Sequence, residues 1–215
     1  MLELLKHEVQ YVALAIMGLV YISKVIWILS FKPMKERTPG RGMEKKAITA
    51  SFFSLFMPWT MESTSKKWYK WIEFAVFHVG IAAAIIASFI IPEAPEMMTA
   101  QVIVVFKVLM ALSFFIVILR LGRRLFSPVN KIISHPDDYF SVAMMVIWFF
   151  VAFFAMDLNE SHWSFPAFFA ITAFLIAYVP FSKMSHYILW PFSRYYFGKH
   201  FGHRGTYPKI KGEFL

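Results

Sequence analysis

Two histidines lie in runs that are otherwise apolar: His78 in EFAVFHVGIAAAIIASFII and His186 in FLIAYVPFSKMSHYILWPF. An imidazole at membrane depth costs free energy unless it has a partner, so each is a functional candidate. A neutral imidazole ligates metal through the ring nitrogen that lacks the proton. Two such rings at similar depth on facing helices, with room between them for a flat macrocycle, suit axial ligation of one haem iron. The same rings also serve to hydrogen-bond across helices or to line a proton path.

The elements that must position these rings are membrane spans. The 215 residues are 59% hydrophobic, 19% aromatic and only 16% charged, with 25 Phe and 13 Met. A soluble domain is about 45–50% apolar and about 25% charged. The apolar excess falls in runs of roughly 20 residues, enough to cross a hydrocarbon core about 30 Å thick. The expected fold is therefore an all-α integral membrane protein, a five-helix bundle in a single membrane domain. Its spans cover about 9–31, 71–91, 100–121, 139–157 and 165–191. Pro180 lies inside the fifth and is expected to kink it.

There is no cysteine. That excludes disulfides, thiolate metal sites, thioether-attached haem and any iron–sulfur cluster held by this chain. No cleavable signal peptide is expected, because Met1–Gln10 is mixed in charge and no small-residue cleavage motif follows the first apolar run. The net charge of +9 implies no nucleic-acid partner, because the basic residues cluster in loops as membrane topology demands. Lys32, Lys35, Arg37, Arg41, Lys45, Lys46, Lys66, Lys67 and Lys70 lie between spans one and two. Arg120, Arg123, Arg124 and Lys131 follow span three; Arg194, Lys199, Arg204, Lys209 and Lys211 follow span five. The opposite loops carry Glu93, Glu96, Asp157 and Glu160 without Lys or Arg. The positive-inside rule then predicts an outside N-terminus and a cytoplasmic C-terminus. On that topology both histidines fall roughly 7–12 Å into the inner half of the bilayer, at about 1.5 Å per residue.

The cytoplasmic loop 32–70 contains ITASFFSLFMPWTM, too short to span. It reads as an interfacial helix with Trp59 and Trp68 at headgroup level, or as a contact for another subunit. Residues 127–138 read as an ordinary polar loop, and 192–215 as a cytoplasmic tail. Gly80 and Ala82–Ala84 give the second span a small-residue face, fit for a planar group or a closely packed helix.

Other polar residues have two readings each. Lys107, about 10 Å below the outer surface, suits a quinone or proton path, or else snorkels or joins an ion pair. Arg120, Arg123 and Arg124 suit haem propionates, since Arg forks onto carboxylates; the positive-inside rule alone also explains them. His162, before the fifth span, is a further quinone or proton-path candidate, although His7, His135 and His162 read first as surface residues. His200 and His203, in GKHFGHRG, have metal-ligand spacing but no Cys or carboxylate nearby in sequence, so the segment reads as a docking tail.

The motifs FHVG at Phe77–Gly80 and VPFSKMSH at Val179–His186 resemble those of a known family. It is the cytochrome b (gamma) subunit of respiratory nitrate reductase, with its relatives in the Hmc, Tmc and Dsr redox complexes of sulfate reducers. The short length and lone pair are closest in style to the E-type subunit of the Hmc complex. The resemblance covers spans two to five. It implies that His78 and His186 are the iron ligands of the haem nearer the cytoplasm; Arg120 and Arg124 are then the candidates for its propionates on the residue reading above. The positions that hold the second haem fall on Ser88 and Phe168, neither of which ligates haem. The resemblance thus implies one bis-histidine haem b and no second.

The implied function is an electron-transfer subunit in a bacterial or archaeal cytoplasmic membrane, not catalytic alone. It would link the quinone pool, with menaquinone as a candidate, or a neighbouring membrane subunit to a cytoplasmic iron–sulfur partner of heterodisulfide reductase type. A quinone-interacting membrane subunit and a periplasmic multihaem cytochrome c are the further partners implied, beside membrane lipid. The alternative is a haem-free membrane anchor or assembly subunit. A transporter is disfavoured, because the chain has no repeat and no pair of broken helices.

Overall fold

The computed structural model describes residues 1–32, 36–57, 59 and 65–208. Lys35, Lys209, Lys211 and the end of the apolar loop segment, at 58 and 60–64, lie outside the described residues. Among the described residues the regular structure is helical, with no strand. The helices are α1 (Leu2–Lys6), α2 (Glu8–Ser30), α3 (Glu44–Phe53), α4 (Trp68–Glu93), α5 (Ala100–Phe126), α6 (Pro128–Ile133), α7 (Pro136–Ala155), α8 (Ser164–Tyr178) and α9 (His186–His203). Five segments are long and apolar enough to cross a membrane: Leu2–Ser30, Trp68–Glu93, Ala100–Phe126, Pro136–Ala155 and Ser164–Phe181. Lipid requires this, since only a helix or a closed barrel satisfies its own backbone there.

The contacts cluster into two compact units. The first comprises Met1–Ile22 and Ile72–Met184, the second Ser23–Trp71 and Ser185–Leu215. In the first unit α5 packs on α7, α7 on α8, and α1 on α8. Trp148, Phe149, Phe165, Phe168 and Phe169 are fully buried at its centre. The indole Nε1–H of Trp148 donates to Thr172 Oγ1 (2.7 Å), whose hydroxyl donates to the Phe168 carbonyl (2.7 Å). Each polar atom of this buried chain is thereby satisfied. Trp148→Ala removes a large filler and leaves Thr172 without its donor. We expect a loss of about 3 kcal/mol or more, read as an earlier midpoint in SDS titration of the micellar protein. Trp148→Phe should cost clearly less.

The fifth apolar helix stops at Tyr178, where the sequence reading carries it to Pro191. Pro180 breaks it rather than kinking it. The chain passes through a 3₁₀ turn at Val179–Phe181, an extended Ser182 (ψ 172°) and a second turn at Lys183–Ser185 before α9 begins. Pro180 removes one donor and crowds the preceding turn. The break is then held by α7. The Lys183 backbone N–H donates to Asp137 Oδ2 (3.2 Å), its ammonium reaches Asp138 Oδ2 (2.9 Å), and the Tyr178 hydroxyl bonds Asp137. The segment 127–138 is likewise more than a loop. Ser127 caps α6 by accepting from Asn130 N (3.4 Å), and the His135 backbone N–H donates to Asp138 Oδ2 (2.8 Å) as α7 starts.

In the second unit α3 lies antiparallel on α9. Gly198 and Gly202, the G-x-x-x-G of α9, let the backbones meet. A Cβ at Gly198 would lie 2.4 Å from Ile48 Cα, and one at Gly202 would lie 2.4 Å from Ala47 Cβ. Ser51 Oγ donates to the Arg194 carbonyl (3.0 Å), and Phe52 meets Trp190 edge to face at 5.5 Å. The start of the stretch that reads as interfacial thus has a partner helix within its own chain, and the first half of the expected tail, 192–203, is helix.

Candidate functional site

His78 sits on α4 in the first unit, between Phe74 (ring centroids 4.0 Å apart) and Phe77 (5.3 Å). Its Nδ1 is 2.7 Å from the Phe74 carbonyl. A carbonyl only accepts, so Nδ1 carries the proton; in the neutral ring the lone pair is then on Nε2. Histidine ligands to metals are commonly oriented this way, with one ring N–H given to a carbonyl and the other nitrogen directed at the metal. The bond runs back one helical turn, so the helix itself sets the ring's rotamer.

Arg120 joins this site from α5. Its guanidinium lies over the Phe77 ring, 4.3 Å from the centroid. Among the described residues no carboxylate lies within salt-bridge distance of it. Its neighbours are engaged: Arg123 donates to Glu73 Oε1 (2.7 Å), and Arg124 to Ser134 Oγ (2.8 Å) with Asp138 at 3.9 Å. Of the two arginines expected at a propionate, Arg120 is the one that makes no direct ion pair among the described residues. Arg124 instead ties α5 to the start of α7. Glu73, which the sequence reading leaves out, is a site residue by this geometry. It lies at the same end of α4 as the arginines of α5, and opposite charges at matched helix ends were the available signal.

The α4–α5 contact beside His78 is made at Gly80. A Cβ there would be 1.9 Å from Ser113 Oγ, and that hydroxyl donates to the Val76 carbonyl (3.2 Å). Of the two uses open to the small-residue face, this stretch of it takes the close helix. Ser88 and Phe168 are both fully buried; Ser88 Oγ donates to Ile85 O (2.8 Å) and Phe168 packs in the aromatic core.

His186 belongs to the second unit. It is exposed and is the first residue of α9, not a residue within an apolar spanning helix. Lys107 pairs with Asp157 and lies 5.2 Å from the Phe153 ring centroid, which accounts for it as an ion pair. His162 Nδ1 meets Ser164 Oγ (2.7 Å) at the start of α8, a local contact two residues away. His200 and His203 do meet carboxylates, brought from far in sequence. Glu44 Oε1 is 2.7 Å from His203 Nδ1, and Glu36 Oε2 is 3.6 Å from His200 Nδ1. Among the described residues no group of three or more His, Cys, Asp or Glu is arranged to hold a metal ion.

No family model, curated protein or solved structure matches this chain.

Proposed function

We propose that the chain is a haem b-binding, multi-pass membrane subunit of a respiratory redox complex. Its N-terminus is outside and its C-terminus in the cytoplasm. It passes electrons between the quinone pool, or a neighbouring membrane subunit, and a cytoplasmic iron–sulfur partner. The observation that carries the reading is His78: a tautomer set by the Phe74 carbonyl in an apolar helix, with the Arg120 guanidinium over the neighbouring Phe77 ring. His186 is the second axial ligand on the sequence argument alone. Bis-histidine haem supplies one-electron transfer with no coordination site left open for substrate chemistry. The chain's own residues orient the imidazole, offer a cation to a propionate and keep the surroundings apolar, all of which tune the potential.

The anchor reading makes the opposite prediction for the histidines. In reduced-minus-oxidised spectra of the purified full chain, haem b absorbance should vanish in His78→Ala and in His186→Ala. Arg120→Ala should keep haem at reduced occupancy, with a lowered potential. If His78→Ala keeps its full haem content, the proposed ligation is wrong. If the wild type binds none, the chain is an anchor.

A further inference from the structure

The second unit carries an arrangement that the redox reading does not use. The chain at 36–42 runs against the C-terminal end of α9, and its contacts converge on His203. The Arg41 backbone N–H donates to the His203 carbonyl (2.8 Å). Gly40 lies under the ring, where a Cβ would come 3.3 Å from His203 Cε1. The imidazole itself bridges two groups. Its Nε2 is 2.7 Å from the Thr38 carbonyl and its Nδ1 is 2.7 Å from Glu44 Oε1 on α3.

A carbonyl oxygen only accepts, and so does an ionised carboxylate. Both ring nitrogens must then donate, and a ring that donates twice is an imidazolium. The neutral ring has one N–H and must leave one acceptor facing a lone pair. The charges around the ring favour the cation. Glu44 faces it from α3 and Glu36 from the 36–42 segment. His200 and Arg204 approach from its own helix end, and Arg204 is engaged by Glu36 through Nε (3.1 Å) and a terminal nitrogen (2.9 Å). Arg41 meets His203 through its backbone amide.

We propose that His203 is a protonated clasp fastening the 36–42 segment to α3 and α9, and that loss of its ring proton releases this segment. The direction of titration agrees. The Thr38 carbonyl first, and Glu44 second, hold the His203 pKa above the ordinary histidine value. Arg204 beside it holds the Glu36 carboxyl below the usual carboxylate range, so Glu36 keeps its charge throughout the window in which His203 titrates. A raised folded pKa means that the stabilisation is fully present below the unfolded value. It is lost as pH rises through the folded one. The clasp is therefore closed in mildly acidic solution and opens toward alkaline pH. The inference stands on the second unit alone and is independent of haem.

The test is hydrogen–deuterium exchange of the full chain in micelles, from about pH 6 to about pH 9, corrected for intrinsic exchange. In the wild type, protection over 38–42 should fall with rising pH. The fall should approach about tenfold for each unit by which the closed and released pKa values differ. His203→Phe should be weakly protected at every pH. Glu44→Gln is the decisive variant. A neutral His203 can then donate from Nε2 to Thr38 and accept the N–H of the introduced side-chain amide at Nδ1, so protection should persist at alkaline pH. A flat wild-type profile, or a Glu44→Gln profile that falls as the wild type does, overturns the proposal. Should His203→Phe not fold, these two profiles still decide it.

Discussion

Gly198→Leu is expected to dismantle the α3–α9 pair. At this crossing the obstacle is backbone: a Cβ would sit 2.4 Å from Ile48 Cα, 2.7 Å from Ile48 N and 2.8 Å from the Ala47 carbonyl. No rotamer change relieves such a contact, so the helices must separate. Separation breaks the Ser51–Arg194 bond and the Phe52–Trp190 contact. Overpacking usually costs about 1–3 kcal/mol. With main chain on the far side we expect at least the top of that range, about 3 kcal/mol, or roughly a hundredfold in the opening equilibrium. Amide exchange over Glu44–Phe53 should accelerate by that order. Unchanged protection would show that the pair does not rest on this glycine.

The second large effect is at Gly80. Its Cβ would lie 1.9 Å from Ser113 Oγ and 2.7 Å from Ser113 Cβ. Apolar burial gives membrane helices little net drive to associate, so close backbone approach and interhelical hydrogen bonds hold them together. Gly80→Leu removes both, since it displaces Ser113 and its bond to the Val76 carbonyl. We expect about 3 kcal/mol of destabilisation, read in SDS titration of the micellar protein. Unlike at Gly198, the nearest obstacle is a side chain. Ser113→Gly in a Gly80→Ala background should therefore recover part of the loss, a coupling that distant sites do not show. The α4–α5 crossing also brings Arg120 over Phe77, the ring beside His78, so Gly80→Leu should lower haem occupancy under the proposed function.

The apolar runs gave away the spanning helices, because length and hydropathy are local properties. Where α8 ends is not local. Pro180 in a membrane helix is compatible with a kink, since neighbours re-satisfy the freed groups. Here it is a break, and Asp137 and Asp138 hold it open by engaging Tyr178 and Lys183 from another helix. This moves His186 from a spanning helix to the start of α9 and changes how its candidacy must be tested. The G-x-x-x-G at Gly198–Gly202 was readable as a close-packing signal, but its partner at Ala47–Ile48 was not. The carboxylates at His200 and His203 come from Glu36 and Glu44, also out of reach of a local reading. Lys107 was legible as an ion pair, since Asp157 closes the next span at the same end. His78 is the converse case: its partner, the Phe74 carbonyl, is a backbone group one turn away, which the helix alone dictates.

The most direct measurement is pyridine haemochrome quantification of the wild-type full chain, purified from a haem-replete host with no partner subunits present. One non-covalent haem b per polypeptide is expected. A value of zero in folded, helical protein would contradict it. A value of two would contradict the single-haem reading and point to ligands beyond His78 and His186.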